Sequence, residues 1–264
     1  MLAQELFKVS GHVAFVTGAA SGLGLGMAEV MADNGAQVVM ADIDQDGLQR
    51  AVTRLAAAGR TVQAAVLDVT DREALRQAID GTKARFGRLD AVFANAGISA
   101  GSGFRTEAGR IENVAADAWE RVLKINLTSV FNTLQAAAVH MKAQRGGRII
   151  VTASVAGMRA EPPVGYAYVA TKAAVANLVR QAAMELGPYG VCVNAVAPGP
   201  FLTNISGGRL RRDPAAAREF TDRVPLGRVA QVEEIKGLVL LLASPASSYI
   251  NGAVIPIDGG LTAG

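Results

Sequence analysis

Short apolar runs rich in valine and isoleucine alternate along this chain with longer stretches in which apolar residues recur every three or four positions. The runs near 12–17, 37–42, 61–68, 89–94, 147–153, 191–197 and 253–257 predict seven β-strands. The periodic stretches near 23–33, 45–58, 71–86, 115–143, 165–186 and 231–243 predict six helices. Several strands, AVFA and RIIVTA among them, are apolar at consecutive positions instead of alternating. A strand covered by helices on both faces has that composition. The pattern therefore predicts an α/β fold, a doubly wound, Rossmann-type parallel sheet of seven strands with helices on both faces. No linker-like shift in composition and no internal repeat divides residues 1–264, so a single domain is expected. Two connections, about 98–114 and about 199–230, exceed ordinary loop lengths. Both leave the carboxyl ends of strands, where open α/β sheets bind ligands, and are expected to cover a substrate.

Composition narrows the function classes. The chain has 264 residues, half of them hydrophobic and 19% charged, enough to build a packed core without crosslinks. Its one cysteine, Cys192, excludes an intrachain disulfide and favours a reducing, cytoplasmic setting. The opening MLAQELFKVSG lacks the apolar run and cleavage site of a signal peptide, and no stretch approaches the roughly 20 apolar residues of a bilayer span, so no membrane partner is expected. The net charge is +3, and the densest basic cluster, Arg209, Arg211 and Arg212, has no interleaved aromatics, so no nucleic-acid partner is expected. His12 and His140 lack a chelating spacing, and no metal is expected. Helix 165–186 is apolar around most of its circumference, which predicts that its outer face meets another subunit.

The chemistry begins after the first strand. Thr17-Gly18-Ala19-Ala20-Ser21-Gly22-Leu23-Gly24 turns directly into a helix. Its glycines permit a tight turn and close backbone approach, and a helix start offers free N–H groups to a pyrophosphate. Asp42 ends the second strand about twenty residues beyond Gly22, the spacing of a ribose-binding acid. A carboxylate there accepts from ribose hydroxyls and repels a 2′-phosphate by ~3 kcal/mol at ~5 Å, which favours NAD over NADP. Ala19, Ala20 and Ile43 supply no compensating charge. Farther on, Tyr168 and Lys172 lie four apart on one helix face. A phenol near pKa 10 needs ~4 kcal/mol of help to exchange protons at neutral pH, and an ammonium at ~5 Å supplies ~3 kcal/mol of it.

In order along the chain, TGAASGLG at 17–24, LDV at 67–69, NAG at 95–97, KIN at 124–126, Ser154 in TASVAG, YVATK at 168–172 and PGPFLT at 198–203 resemble the motifs of the short-chain dehydrogenase/reductase family, in its single-domain branch. The resemblance spans essentially the whole chain. It implies that Tyr168 is the general acid/base, that Lys172 lowers its pKa and holds the nicotinamide ribose, and that Ser154 orients the substrate oxygen. Asn126 would help position a water in a proton relay. Cofactor contacts are implied for Gly18, Ser21, Gly22, Leu23, Gly24, Asp42, Ile43, Asp68, Val69, Asn95, Ala96, Gly97, Tyr168, Lys172, Pro198, Gly199, Phe201 and Thr203. A homotetramer is also implied.

Around the substrate the chain departs from the usual pattern. Glu161-Pro162-Pro163 stiffens a Ser154-to-Tyr168 segment that is about one residue longer than common, the Gly97–Asn126 connection is several residues longer, and Phe201 replaces a smaller side chain. Candidate pocket residues are Ser99, Phe104, Ala156, Met158, Arg159, Tyr166, Phe201 and Ile205, a mixed set suited to a moderately apolar alcohol or ketone. Tyr166, unable to pair with Lys172 at i, i+4, is expected to form a pocket wall. The expected activity is NAD(H)-dependent hydride transfer between nicotinamide and a secondary alcohol or ketone. The alternatives are an NADPH-dependent ketoreductase of β-keto acyl or polyol type and a non-catalytic NAD-binding sensor or scaffold. An enoyl reductase is disfavoured, because its tyrosine and lysine stand farther apart than these.

Overall fold

The computed structural model describes residues 2–99 and 101–263, without the side chains of Ser206, Arg209, Pro214 and Ala216. Strands β1 (Val13–Thr17), β2 (Gln37–Asp42), β3 (Val62–Val66), β4 (Ala91–Ala94), β5 (Gly147–Thr152), β6 (Val191–Pro198) and β7 (Val254–Ile257) form one parallel sheet in the order β3-β2-β1-β4-β5-β6-β7. The chain order reverses between β1 and β4, and such a switch point opens a crevice at the carboxyl ends of the strands.

Successive residues of a strand point to opposite faces, and the core divides accordingly. Phe15, Val92, Ile149 and Val193 pack on one side with α4 (Arg72–Phe86), α6 (Ser129–Gln144) and α7 (Tyr166–Leu186). Val16, Met40, Phe93 and Ile150 pack on the other with α2 (Gly22–Asp33), α3 (Gln45–Ala57) and α10 (Lys236–Ala243). The central strands β1, β4 and β6 are buried along their whole length, which is why their sequences show no polar alternation. A short helix, α1 (Ala3–Leu6), precedes the sheet. No helix among the described residues is long and apolar enough to cross a membrane.

Two elements differ from the sequence expectation. The single helix expected over 115–143 is α5 (Ala116–Leu123), a π-turn at Lys124–Thr128, and then α6. Apolar periodicity does not register one wide turn in a continuous helix. The outer face of α7 is less apolar than expected, since Asn177, Arg180, Gln181 and Glu185 stand exposed among the alanines. The inward stripe is Ala167, Thr171, Lys172, Val175, Ala176, Val179, Ala183 and Leu186.

The two long connections are both structured. The first carries 3-10 turns at Glu107–Gly109 and Ile111–Asn113 and meets the Pro162-Pro163 segment through a bridge between Ser102 and Val164. The second is closed at its neck, where Phe201 pairs with Ala230. It holds α8 (Ile205–Arg212) and α9 (Pro214–Thr221). Gly207 and Gly208 in α8 have φ of 66° and 74°, a region that costs glycine little and other residues much. An Arg105–Glu219 ion pair at 3.3 Å ties the first connection to α9.

Candidate active site

The turn after β1 is held by close backbone packing. A Cβ on Gly24 would lie 2.1 Å from the Gly18 carbonyl oxygen, so only glycine lets α2 start this tightly against the turn. Ser21 takes the N-cap position yet makes no side-chain capping bond. The first amides of α2 have no acceptor within the helix, and they adjoin a cavity of about 1120 Å³ lined there by Gly18, Ser21, Gly22 and Leu23. Free amides at the positive end of a helix dipole suit an anionic phosphate. Asp42 joins this turn to β2, with Oδ2 accepting from Ala20 N at 2.9 Å and Oδ1 from Asp44 N at 3.0 Å. Each carboxylate oxygen keeps a further lone pair, and Asp42 and Ile43 are part of the cavity wall.

A hydrogen-bonded chain crosses from this turn to α7. Thr17 Oγ1 donates to Phe93 O and accepts from Asn95 N and Ala96 N at 3.0 and 3.1 Å. Asn95 Nδ2 donates to Thr17 O at 3.0 Å, while its Oδ1 accepts from Thr152 Oγ1 at 2.9 Å. The Thr152 carbonyl in turn accepts from Lys172 Nζ at 2.6 Å. Buried Asn126, in the π-turn, grips Ile98 from both sides: its Nδ2 donates to Ile98 O and its Oδ1 accepts from Ile98 N, each at 2.8 Å.

The remaining groups come from the segment after β5. Ser154 caps a 3-10 turn at Val155–Gly157, its Oγ accepting from Ala156 N at 3.1 Å. A Cβ on Gly157 would lie 2.4 Å from the Lys172 carbonyl, so glycine there lets α7 press onto this turn and brings Tyr168 toward Ser154. Lys172 Nζ stands 5.6 Å from the Tyr168 ring centre. Burial lowers the Lys172 ammonium to about 8. Tyr168 is half-buried and lines the cavity. Loss of water there pushes its phenol above the ordinary value, and a hydrogen bond with Ser154 pulls it part of the way back. The expectation of a phenol already made acidic by its neighbour is thus opposed by desolvation in the protein's own groups.

Residues 18–262 match the family model described as enoyl-(acyl carrier protein) reductase. The cyclohexanol dehydrogenase of Rhodococcus sp. (strain TK6) is 40% identical, covering 96% of this chain and 96% of its own length. A short-chain type dehydrogenase/reductase from Mycobacterium marinum has the same fold, with a TM-score of 0.90 and 36% identity over 98% of this chain and 99% of its own. The chain belongs to the short-chain dehydrogenase/reductase family. A gluconate 5-dehydrogenase from Burkholderia cenocepacia, crystallised with NADP and tartrate, is equally similar in fold, with a TM-score of 0.90 and 35% identity over 100% of both chains. This family binds nicotinamide cofactors, and in this short-chain dehydrogenase/reductase the uncapped start of α2 and the free lone pairs of Asp42 suit the pyrophosphate and ribose of such a group.

Of the residues assigned to the cofactor from sequence, all but Gly24 line the one cavity, and Gly24 stands behind the turn. Thr203 sits over Gly22. The substrate set divides. Ser99, Ala156, Phe201 and Ile205 line the cavity, whereas Phe104, Met158, Arg159 and Tyr166 do not. Phe104 and Met158 are turned partly to solvent. Arg159 is drawn to Glu161 and donates to the Leu261 carbonyl. Tyr166 is two residues from Tyr168, about 200° around the helix, and so faces away from the wall. Glu161, Pro163, Val164, Leu210, Phe220 and Leu261 contribute to the wall instead, and Arg121 and Lys124 add two bases to it.

Thr17 and Thr152, the first residues of TGAASGLG and TASVAG, carry the hydrogen-bonded relay, a role that their place at strand ends suggests and their motifs do not state. Lys172 carries a testable consequence. Its folded pKa of about 8 lies below the 10.5 of an unfolded lysine, so the unfolded chain binds more protons between these values and stability rises with pH across that window. Below pH 8 the buried charge costs about 3 kcal/mol. Lys172→Met is therefore expected to melt higher than the parent at pH 7, by less than that cost because Thr152 O loses its donor. The gap should close between pH 8 and 10.5 in thermal melts; a gap independent of pH would refute the depressed lysine.

Proposed function

We propose that this chain is an NAD(H)-dependent dehydrogenase of secondary alcohols, acting in reverse as a carbonyl reductase. The observation that carries the reading is that Tyr168, Lys172 and Ser154 share one cavity wall with the uncapped start of α2 and Asp42. A nicotinamide held in this cavity would supply the hydride acceptor or donor and, when oxidised, a positive charge. Tyr168 takes the hydroxyl proton of the alcohol in oxidation and gives it back in reduction. Ser154 Oγ, fixed by its bond from Ala156 N, orients the reacting oxygen. Lys172, protonated at pH 7 with Nζ 5.6 Å from the centre of the Tyr168 ring, is the nearby positive charge that favours the phenolate, against the cost of burial. Asn126 acts as a positioning residue, holding the Asn95–Ile98 loop through Ile98.

NAD is the cofactor we expect over NADP, because the Asp42 carboxylate in the cavity wall would repel a 2′-phosphate brought beside it. The two bases in the wall, Arg121 and Lys124, come from α5 and the turn after it and not from the end of β2. The four-residue Tyr168–Lys172 spacing supports alcohol over enoyl chemistry. Assembly as a homotetramer belongs to the same reading, and it is supported by Phe131, Val139 and Met184, which stand exposed on α6 and α7.

Tyr168→Phe is expected to lower turnover of secondary alcohols about 10²–10⁴-fold while NADH fluorescence titrations show cofactor binding retained; near-normal turnover would remove the proton-transfer role. Comparison of kcat/KM with the two cofactors should favour NAD by about 100-fold, and a preference for NADP sinks the Asp42 argument. Sedimentation should give a particle of four chains, and a stable monomer would end the assembly claim.

A further inference from the structure

Glu161 is a buried ionisable group of the cavity wall that this mechanism does not use. Its side chain is 2% exposed, and Oε1 is closed off from solvent, so this oxygen is out of a ligand's reach. It meets arginine instead. Oε2 pairs with Arg223 Nη2 at 2.8 Å, and Oε1 with Arg159 Nε at 3.3 Å. Arg159 also donates through Nη1 to the Leu261 carbonyl. Arg223 belongs to the segment that follows α9, in the connection after β6, and Leu261 to the segment after β7.

The connection after β4 reaches the same place. Ser102 bridges to Val164, and a Cβ on Gly103 would lie 1.9 Å from the Pro162 carbonyl oxygen, so glycine is what allows that approach. Val155, Val224 and Leu261 form a small buried apolar cluster that joins the segments after β5, β6 and β7. Four connections thus converge around one carboxylate. The residues they bring with them, Ser102, Val164, Phe220 and Leu261, line the cavity together with Ser154 and Tyr168. A buried carboxylate is tolerated while its partners are docked, and breaking such a pair is costly because a charge is left behind uncompensated. Here the partners ride on segments remote in sequence, so the three charges favour a single docked arrangement. The Arg105–Glu219 pair at α9 is exposed by comparison, and an exposed pair holds little.

We propose that Glu161 is a positioning residue, which clamps the connections after β5, β6 and β7 together so that the wall of the substrate cavity is already assembled when the alcohol arrives. This rests on the secondary-alcohol reading and deepens it. A wall assembled only part of the time lowers apparent affinity by the fraction assembled and leaves the reaction of a bound alcohol unchanged. The cofactor side lies outside the clamp, since Asp42 is bonded to the turn after β1 and the neck of the second connection is closed by the Phe201–Ala230 pairing.

The test has two readings that need no catalysis. Calorimetric titration of cyclohexanol into the protein saturated with NADH reads substrate binding alone, because the reduced cofactor cannot oxidise an alcohol. Glu161→Gln, which leaves both guanidiniums without their counter-charge, is expected to weaken that binding about 10–100-fold, the range for losing a hydrogen bond to a charged group, with NADH affinity kept. Hydrogen exchange of the protein alone should accelerate in residues 213–227 and 259–263 and keep the parent rate in α3, which follows Asp42. Arg223→Met should reproduce the weakening, and Arg223→Lys, which keeps a cation, should recover most of it; this pair decides the matter should Glu161→Gln fail to fold. In turnover the loss should appear in KM, with kcat near the parent's. Parent-like cyclohexanol binding in Glu161→Gln and Arg223→Met overturns the proposal, as does an equal loss of NADH affinity. Exchange that accelerates to the same degree in α3 overturns it too, since Glu161 would then support the fold at large. Should the parent neither oxidise nor bind cyclohexanol, the functional reading falls alone, and exchange still decides whether Glu161 clamps the wall.

Discussion

A buried ammonium bonded to a backbone carbonyl, Lys172 Nζ to Thr152 O, holds the candidate site together. Removing a charge from water is unfavourable unless the surroundings supply directed partners. Here the carbonyl is the last of β5, a strand buried at its carboxyl end, and α7 is pressed against the neighbouring turn at Gly157. The lysine is therefore held by packing that the sheet and helix have already made. The same contact sets the height of Tyr168 above the strand ends, since the two side chains are one turn apart on α7.

The lysine is also the far end of a relay of polar contacts reaching back through Thr152 and Asn95 to Thr17 and Gly18. The relay runs across β1, β4 and β5, on either side of the point where strand order reverses. The turn that suits a phosphate and the helix that bears the phenol are in this way parts of one hydrogen-bonded object. In a poorly solvated interior such connected bonds reinforce each other and fix a single arrangement. Asn126 adds a second brace by clasping Ile98, just beyond the Asn95 relay.

The sheet and the residues gathered at its switch-point cavity were legible because their signals are local: consecutive apolar residues for buried strands, a glycine turn at a helix start, an acid at a strand end. The substrate side was not. Phe104, Met158 and Arg159 lie on connections whose side-chain directions depend on contacts distant in sequence, such as Arg159 with Leu261, a hundred residues on. Glu161 precedes two stiffening prolines, and nothing local in the sequence marks it as the buried carboxylate of the wall. Tyr166 was misplaced for a simpler reason, since two residues along a helix point nearly opposite ways. The direction of the Tyr168 shift was also missed, because pairwise Coulomb reasoning leaves out the desolvation that only the folded chain reveals.

The pairing of Phe201 with Ala230 makes the excursion between them a closed bight, both ends leaving and rejoining the scaffold at one point. The entropic cost of closing a loop grows only slowly with its length, so a change in the length of such a bight costs the scaffold little, even though ion pairs such as Arg105–Glu219 tie it down. Its contents, α8 and α9, are free to be lengthened, shortened or exchanged in evolution as a cassette, changing what the cavity admits while the strands and the lysine beneath stay in register.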